Sequence, residues 1–366
     1  MNYQPGIFST YLSDEEMVSI VSDDALIKYL LHFEMVLAMT QAKLGIVPQP
    51  VADEIGTILH QIQIAPADLT EGTLKNGVPV ITLLSFAKQK LSTKASQYLH
   101  YGATSQDAMD TAQVLIIQDA IVVIEKRVND LHAHLTKLGE QYGNAACMAH
   151  TRGQQAMPVT FQLKLNAWLQ PLQRQLQRLS EIKRRLLSVQ LGGAVGTLSV
   201  YDDKGKQLVD ELAGELKLLA ALPWHSQRDN FCEFTNWLAM LTGVLGKMGA
   251  DVLAMSQSEI DEVMENGPEG GKSSAMPGKN NPVLSEALVA LARLNATLQS
   301  QMLQSLVHVN ERDATAWILE WNAIPQMIIN AGASLNHALT ISTNIKVNTA
   351  RMAQNVEQFL KKSPDK

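Results

Sequence analysis

The chain has 366 residues, 46% of them hydrophobic, enough to bury a large core in one elongated domain or in two to three smaller ones. Its 30 basic and 36 acidic residues give a net charge of −6, which argues against a general nucleic-acid binder. The two cysteines, Cys147 and Cys232, are too few for a disulfide framework, so we expect a reducing, cytoplasmic setting. The sequence has no recognisable signal peptide and no apolar run of about 20 residues, so we expect no membrane span.

The predicted elements are helices along almost the entire chain. Residues 1–110 are predicted to form short helices with turns, one of which begins at the Ser-Asp-Asp of 22–24 and stops at 45–48. Long helices with one apolar stripe each follow; they are predicted at 107–142, 161–189, 232–258, 284–307 and 314–341, the last kinked at Pro325. Strand signals are nearly absent. The pattern predicts an all-α bundle, and such apolar stripes indicate oligomerisation.

Four polar stretches interrupt the helices: 100–111, 149–160, 223–229 and 270–286. Each lies at the edge of a long helix, where unpaired backbone N–H groups can bind an anion. Their hydroxyls, amides, cations and imidazoles suit a carboxylate substrate and proton transfer. The candidates are Thr104, Ser105, Gln106, Gln154, Asn281, Ser273, Ser274, Arg152, Arg228, Lys279, His100, His150 and His225. No His, Cys or carboxylate pair has the spacing of metal ligands, so we predict no metal.

Each stretch also has a purely structural interpretation. The segment Thr104 to Asp107 is a good helix N-cap, and a single histidine is often only a hydrogen-bonded structural residue. The glycine-rich segment 270–286 would also serve as a plain surface connection. Their occurrence together in one chain favours a functional site.

The segment "SSAMPGKNNPVLSE" resembles the signature loop of the fumarase/aspartase superfamily, Gly-Ser-Ser-x-Met-Pro-x-Lys-x-Asn followed by Pro and a later Glu. The matching residues are Ser273, Ser274, Met276, Pro277, Lys279, Asn281, Pro282 and Glu286. Lys272 replaces the leading glycine. The other three stretches follow in the superfamily's order. With "LGGAVGTLSV" and "ERDATAWILEW", they resemble the 3-carboxy-cis,cis-muconate cycloisomerases most and the adenylosuccinate lyases next.

The resemblance implies a three-domain protomer whose central long helices associate into a homotetramer, with each active site built from loops of three chains. The implied domains are an N-terminal helical domain at 1–110, the bundle with the signature loop at 111–346, and the start of a small C-terminal domain at 347–366. We expect that last domain to be absent or truncated, because relatives continue further.

The implied activity is a cofactor-free elimination or addition at the carbon beta to a carboxylate of a dicarboxylate or tricarboxylate. Ser273 matches the base, and Lys279, Asn281 and Gln154 would stabilise the doubly charged intermediate. His225 and His100 are the candidates for the general acid. The resemblance assigns substrate binding to Thr104, Ser105, Gln106, Arg152 and Arg228, and a supporting role to Glu286, Ser274 and His150.

One departure concerns the second stretch, where many superfamily members read Arg-Thr-His-Gly-Gln. This chain reads His150-Thr151-Arg152-Gly153-Gln154, so that arginine would face Glu286 in place of a histidine. Two alternatives therefore stay open. One is a fumarate-releasing lyase of the adenylosuccinate or argininosuccinate type, and the other is a non-catalytic oligomeric homologue.

Overall fold

The computed structural model describes residues 6–265 and 271–362. Short and medium helices come first; they are α1 Ser9–Leu12, α2 Glu15–Ile20, α3 Asp23–Lys43, α4 Gln49–Gln61, α5 Pro66–Asn76, α6 Val80–Lys88 and α7 Thr93–Tyr98. The predicted start of α3 is confirmed, because the hydroxyl of Ser22 accepts a hydrogen bond from the N–H of Ala25 at 3.1 Å. The helix ends just before Gly45, whose φ of 68° turns the chain.

Five long helices form the bundle; they are α8 Ser105–Tyr142, α9 Phe161–Leu186, α11 Asp229–Met255, α12 Val283–Gln304 and α13 Ala314–Asn344. The predicted bounds lie within three residues of these. Helices α8, α11 and α13 run in one direction, and α9 and α12 run in the other. For example, the indole of Trp168 near the start of α9 donates to Asp251 near the end of α11 at 2.8 Å. The all-α bundle is confirmed, and Pro325 lies inside α13 as predicted.

Helix α11 is long and apolar enough to cross a membrane by length and composition alone, which our sequence analysis did not predict. Half of its most apolar window is buried inside the protein. Its buried side chains, such as Trp237, Leu241 and Leu245, contact the other bundle helices. This burial is what the core helix of a globular bundle requires.

A β-hairpin between α8 and α9 was not predicted. Strand β1 Ala146–Thr151 pairs antiparallel with β2 Gln154–Thr160. Arg152 and Gly153 form the turn with φ values of 51° and 79°, the two positive values that a tight hairpin turn requires. The second polar stretch is therefore a hairpin and not a helix edge.

The remaining elements close the two ends of the bundle. They are a 3₁₀ helix Ser199–Lys204, α10 Gly205–Leu216, β3 Val263–Met264, β4 Lys346–Val347 and α14 Thr349–Lys362. Strand β3 pairs with β4, and α14 packs against β1. Gly270 of the predicted loop and 363–366 of the predicted C-terminal segment lie outside the described residues.

Candidate active site

The predicted site residues lie at opposite ends of the bundle. We call the region where α8, α11 and α13 begin the histidine end; it contains His100, Thr104 and His225. We call the region where α11 ends and α12 begins the serine end; it contains the loop 271–282 and the β1–β2 hairpin. Helix α11 has 27 residues and connects the two ends, so they lie about 40 Å apart at 1.5 Å per residue. His100 and Ser273 of one protomer therefore do not meet.

Asp107, in the first turn of α8, organises the histidine end. Its fully buried carboxylate accepts hydrogen bonds from the N–H groups of Thr104, Gly192 and Gly193, each at 2.9 Å. The Nε2 atom of His225 lies 2.7 Å from Oδ1 of the same carboxylate. A carboxylate with this many donors is held in one orientation. It fixes the helix start and the His225 ring together.

Glycine is required where this network is tightest. A Cβ atom on Gly192 would lie 2.7 Å from Cε1 of His225, and Gly193 has a φ of 70°. The side chain of Gln106 also contacts His225: the Nε2 atom of Gln106 donates a hydrogen bond to the backbone carbonyl oxygen of His225 at 2.9 Å. His225 is only 5% exposed, so its ring serves this buried network.

His100 is arranged differently. Its Nδ1 atom lies 2.6 Å from Oε1 of the buried Glu34 of α3. His100 and Ser105 line a cleft of about 460 Å³ between α6 and the start of α8, together with Lys88. Burial disfavours the imidazolium, but the Glu34 carboxylate outweighs burial and raises the pKa of His100 above its ordinary value. The cleft therefore offers the lysine cation, an imidazole with a raised pKa, a hydroxyl and a helix N-terminus to an anion.

Thr104 connects this cleft to the start of α13. Its hydroxyl accepts a hydrogen bond from a guanidinium nitrogen of Arg312 at 3.0 Å, and Arg312 also donates to the carbonyl oxygen of Ala194 at 2.9 Å. Arg312 was not among the predicted site residues. The segment "ERDATAWILEW" contains it and was the available signal.

Arg228 does not face a cleft in this structure. Its guanidinium binds Asp110 through two hydrogen bonds of 2.7 and 2.9 Å, and it also binds Glu320 at 2.8 Å. The residue is 1% exposed and packs against the rings of Trp224 and Phe231. Burial disfavours the charge, but the two carboxylates outweigh burial and raise the pKa of Arg228. Four of its five N–H donors are therefore directed toward protein carboxylates, unlike those of a substrate-binding arginine.

Two more residues of the histidine end were missed. Glu34 lies on the apolar face of α3 beside Leu30, Phe33 and Leu37. A carboxylate at a position where the helical period predicts a buried apolar residue is a sequence signal for a functional or paired side chain. Both ring nitrogens of His308, between α12 and α13, are buried without a hydrogen-bond partner among the described residues. Burial and then the charge of Arg228 lower the pKa of His308.

At the serine end, Ser273 lies in a loop that folds on itself. Its Oγ atom accepts hydrogen bonds from the N–H groups of Met276 at 3.1 Å and Ala275 at 3.3 Å. Ser274 is exposed next to it. Two backbone donors on one hydroxyl oxygen also stabilise negative charge on that oxygen.

A tight turn follows Ser273 and orients Lys279. The N–H of Lys279 donates to the carbonyl oxygen of Met276 at 3.2 Å, across Pro277 and Gly278, whose φ is 83°. The Lys279 side chain is exposed. Asn281, half-buried, donates its N–H to the carbonyl oxygen of Gly271 at 2.7 Å and closes the base of the loop.

Glu265 anchors the loop to α12. Its buried carboxylate accepts from the N–H groups of Leu284 and Ser285, both at 2.9 Å, as an N-terminal cap. Its carbonyl oxygen accepts from Nδ2 of Asn280 at 2.8 Å. Glu286, in the same first turn, is exposed.

The hairpin presents its polar residues outward. His150, Arg152 and Gln154 are all exposed. Among the ion pairs of residues 6–265 and 271–362, none joins Arg152 to Glu286. Among the described residues of one protomer, the side chains of Arg152 and Gln154 have no ion-pair or hydrogen-bond partner, so they are available at the serine end.

A more enclosed cavity of about 400 Å³ lies between α3, α5 and the bundle, and no predicted site residue lines it. Its walls include Trp317 and Trp321, with the carboxylates of Asp110 and Glu320. The single charge of Arg228 cannot neutralise both of these carboxylates, so the wall disfavours a substrate carboxylate, and the cleft lined by His100 and Lys88 fits such a substrate better. Across the described ranges, no group of three or more His, Cys, Asp or Glu side chains is placed to hold a metal ion.

Comparison with known proteins agrees with the signature loop. Residues 6–294 match the family described as Lyase. A 3-carboxy-cis,cis-muconate cycloisomerase from Acinetobacter baylyi is 34% identical over 358 residues, covering 96% of this chain and 79% of that protein. The crystal structure of 3-carboxy-cis,cis-muconate lactonizing enzyme from Pseudomonas putida has a TM-score of 0.90 at 32% identity, with coverages of 96% and 80%.

A second crystal structure, of a fumarate lyase from Mesorhizobium sp. BNC1, has a TM-score of 0.89 at 32% identity and covers 96% of this chain and 80% of that one. The predicted all-α superfamily fold is thus confirmed over nearly the whole chain. The chain belongs to the lyase family, in the fumarase/aspartase superfamily that its signature loop resembles.

Proposed function

We propose that the protein is a cofactor-free cycloisomerase of 3-carboxy-cis,cis-muconate or a closely similar tricarboxylate. The observation that carries this proposal is the serine loop, with Ser273, Lys279 and Asn281 in place, in a chain similar to such an enzyme. In the lactonising direction, a substrate carboxylate oxygen adds to one alkene carbon and a proton adds to the neighbouring carbon. The reaction is an isomerisation, so it needs no electron donor or acceptor.

Ser273 is the proposed proton-transfer group at carbon: its hydroxyl gives the proton to carbon in the lactonising direction and becomes an alkoxide, which takes the proton back in the reverse elimination. A serine hydroxyl is a weak base unless its alkoxide is stabilised in a site without water. The N–H groups of Ala275 and Met276 already donate to its Oγ atom and supply that stabilisation. Lys279 and Asn281, with Gln154 from the hairpin, would bind the carboxylate on which charge develops.

We further propose a homotetramer whose sites are shared between protomers. The separation of about 40 Å between the two ends supports this, because no small acid could reach Ser273 and His100 of the same chain. Exposed apolar side chains on the bundle, such as Leu294, Leu303 and Val122, give the association a surface. The proposed domains remain 1–110, 111–346 and 347–366.

We assign substrate binding at the histidine end to Thr104, Ser105 and His100, with Lys88 and Arg312 as additions. Gln106 and His225 are directed into the Asp107 network. We therefore assign them to positioning, and we propose a structural role for Arg228. The buried free cysteines, Cys147 and Cys232, fit a reducing cytoplasm.

A spectrophotometric assay tests the function. Loss of muconate absorbance on incubation with 3-carboxy-cis,cis-muconate is the expected result. Fumarate formation from adenylosuccinate or argininosuccinate would favour the fumarate-releasing alternative. Failure of a folded tetramer in both assays would overturn the proposal and favour the non-catalytic homologue.

A further inference from the structure

We propose that Glu34 is a positioning residue, which holds His100 as a charged imidazolium lining the cleft between α6 and α8. The proposal rests on the proposed function for the identity of the substrate, but the state of His100 is measurable without turnover. Glu34 would act through His100, since its own carboxylate does not line the cleft.

The environment of Glu34 is costly for a carboxylate. The side chain is 1% exposed, and Oε1 lies 2.6 Å from Nδ1 of His100. Its second oxygen, Oε2, is buried without a hydrogen-bond partner among the described residues. A buried, half-satisfied carboxylate lowers stability relative to a neutral side chain of similar shape. Stability alone therefore does not explain a glutamate here.

The backbone of His100 is constrained as well. The residue has a φ of 64°, which is uncommon for a residue other than glycine. The next carbonyl oxygen, of Tyr101, accepts from Nε2 of Gln41 at 2.8 Å and from the hydroxyl of Tyr201 at 2.7 Å. These bonds hold the unusual backbone conformation in place, so Glu34 and the backbone together fix the ring.

Three charged groups act on His100, each from a different packed element. Glu34 of α3 and Asp107 of α8 favour the imidazolium, whereas Lys88 of α6 and burial oppose it. The net effect raises the pKa of His100, so the ring stays charged to a higher pH than an ordinary histidine. With Nδ1–H bound to Glu34, Nε2–H remains available as a donor to an anion.

His225 provides the contrast. It also pairs with a buried carboxylate, but Asp107 binds its Nε2 atom, and the ring does not line the cleft. The two histidines therefore differ in which nitrogen the carboxylate occupies. Only His100 combines a buried anchor with access to the cleft.

The test removes the negative charge of the Glu34 side chain while keeping its shape. Glu34→Gln can still accept from Nδ1–H, so the ring should stay in place while its pKa falls by at least about one unit. We expect this shift in the titration of ¹³C-histidine-labelled protein, with the His100 signal assigned by His100→Gln. Near pH 7 the KM for the muconate should rise several-fold while kcat changes little. Glu71→Gln, which removes an exposed carboxylate paired with Lys75, is the matched control and should change neither quantity.

An unchanged His100 titration in folded Glu34→Gln would overturn the proposal. Where that variant does not fold, Glu34→Asp keeps the charge and should leave His100 titrating above an ordinary histidine; an ordinary value there would also overturn it. In the His100→Gln background, Glu34→Gln should not alter the pH profile of KM further, and a persisting effect would make Glu34 merely structural. Absence of muconate turnover contradicts the proposed function alone, because the titration is still readable.

Discussion

The histidine end and the serine end contain similar polar groups in opposite physical states. At the histidine end, Asp107 and Arg228 are at most 1% exposed, and each bonds to several partners from distant parts of the chain. At the serine end, Ser274 and Lys279 are exposed, and the bonds of Ser273 stay within its own loop. Networks of the first kind are rigid, whereas exposed loops with few long-range contacts rearrange at low free-energy cost.

This difference matches the two separate roles in the proposed reaction, substrate binding at the histidine end and proton transfer at the serine end. A binding surface gains affinity when its donors are already oriented, as the ring of His100 is by Glu34. A serine base gains reactivity only when water leaves, which favours a loop that closes over bound substrate. We infer that the histidine end binds first and that the serine end of another protomer completes the site.

The largest expected effect comes from the serine itself. Ser273→Ala should lower turnover by about 10²–10⁴-fold, the usual contribution of a positioned proton-transfer group, while folding and assembly stay intact. Steady-state kinetics with circular dichroism and light scattering would measure both. Ser274→Ala is the matched control and should be much milder. Near-normal turnover in Ser273→Ala would refute the assignment and make Ser274 the next candidate.

The second prediction concerns the contribution of Arg228, at the rigid histidine end, to the free energy of unfolding. Arg228→Ala would leave the buried carboxylates of Asp110 and Glu320 without their cation, at a cost of about 3–5 kcal/mol of unfolding free energy. Thermal or urea unfolding would measure it. Arg185→Ala, which breaks an exposed pair with Glu233, is the control and should leave the unfolding midpoint nearly unchanged. A stable Arg228→Ala protein with a raised KM would restore the substrate-binding role first predicted for it.

The contrast between the two ends also explains what the sequence could predict. The five long helices were located within three residues, because each buries one apolar stripe that repeats with the 3.6-residue period of a helix. The hairpin was missed because neither strand alternates between buried and exposed residues: half of β1 and most of β2 are exposed. Its Arg-Gly turn is also not a common hairpin signal.

The partners of a buried cation are harder to predict than its presence. Asp110 and Glu320 lie 118 and 92 residues from Arg228 in sequence, and only the packing of α8, α11 and α13 brings them together. The position of Arg228 beside a predicted loop therefore does not indicate that its side chain binds two buried carboxylates. The serine loop was predictable because its motif has many fixed positions within a short segment.

Subunit mixing tests whether the two ends of different protomers meet. Ser273→Ala and His100→Gln carry lesions at opposite ends, so random exchange in a tetramer should leave about a quarter of the sites with both parts intact. At a substrate concentration far below the KM of His100→Gln, where both parent proteins have little activity, activity should recover toward that fraction after the two proteins are mixed and allowed to exchange subunits. Mixing Ser273→Ala with Lys279→Ala is the control, since both lesions lie in one loop and no intact loop results. An active monomer in light scattering would contradict shared sites.

The smallest expected effect concerns Arg152 of the hairpin. The resemblance implies a histidine here that relays a proton together with the loop glutamate, but an arginine stays charged and cannot relay one. The exposed guanidinium group of Arg152 can bind a carboxylate through two hydrogen bonds, either that of Glu286 from another protomer or one of the substrate. Arg152→His should therefore raise the KM by several-fold to about tenfold without raising turnover, because a fixed charge is lost and no relay is gained. Arg174→His, at an exposed site on α9, is the control for a general loss of surface charge. A sharp rise in turnover would instead mark the native arginine as a defect and strengthen the case for a non-catalytic homologue.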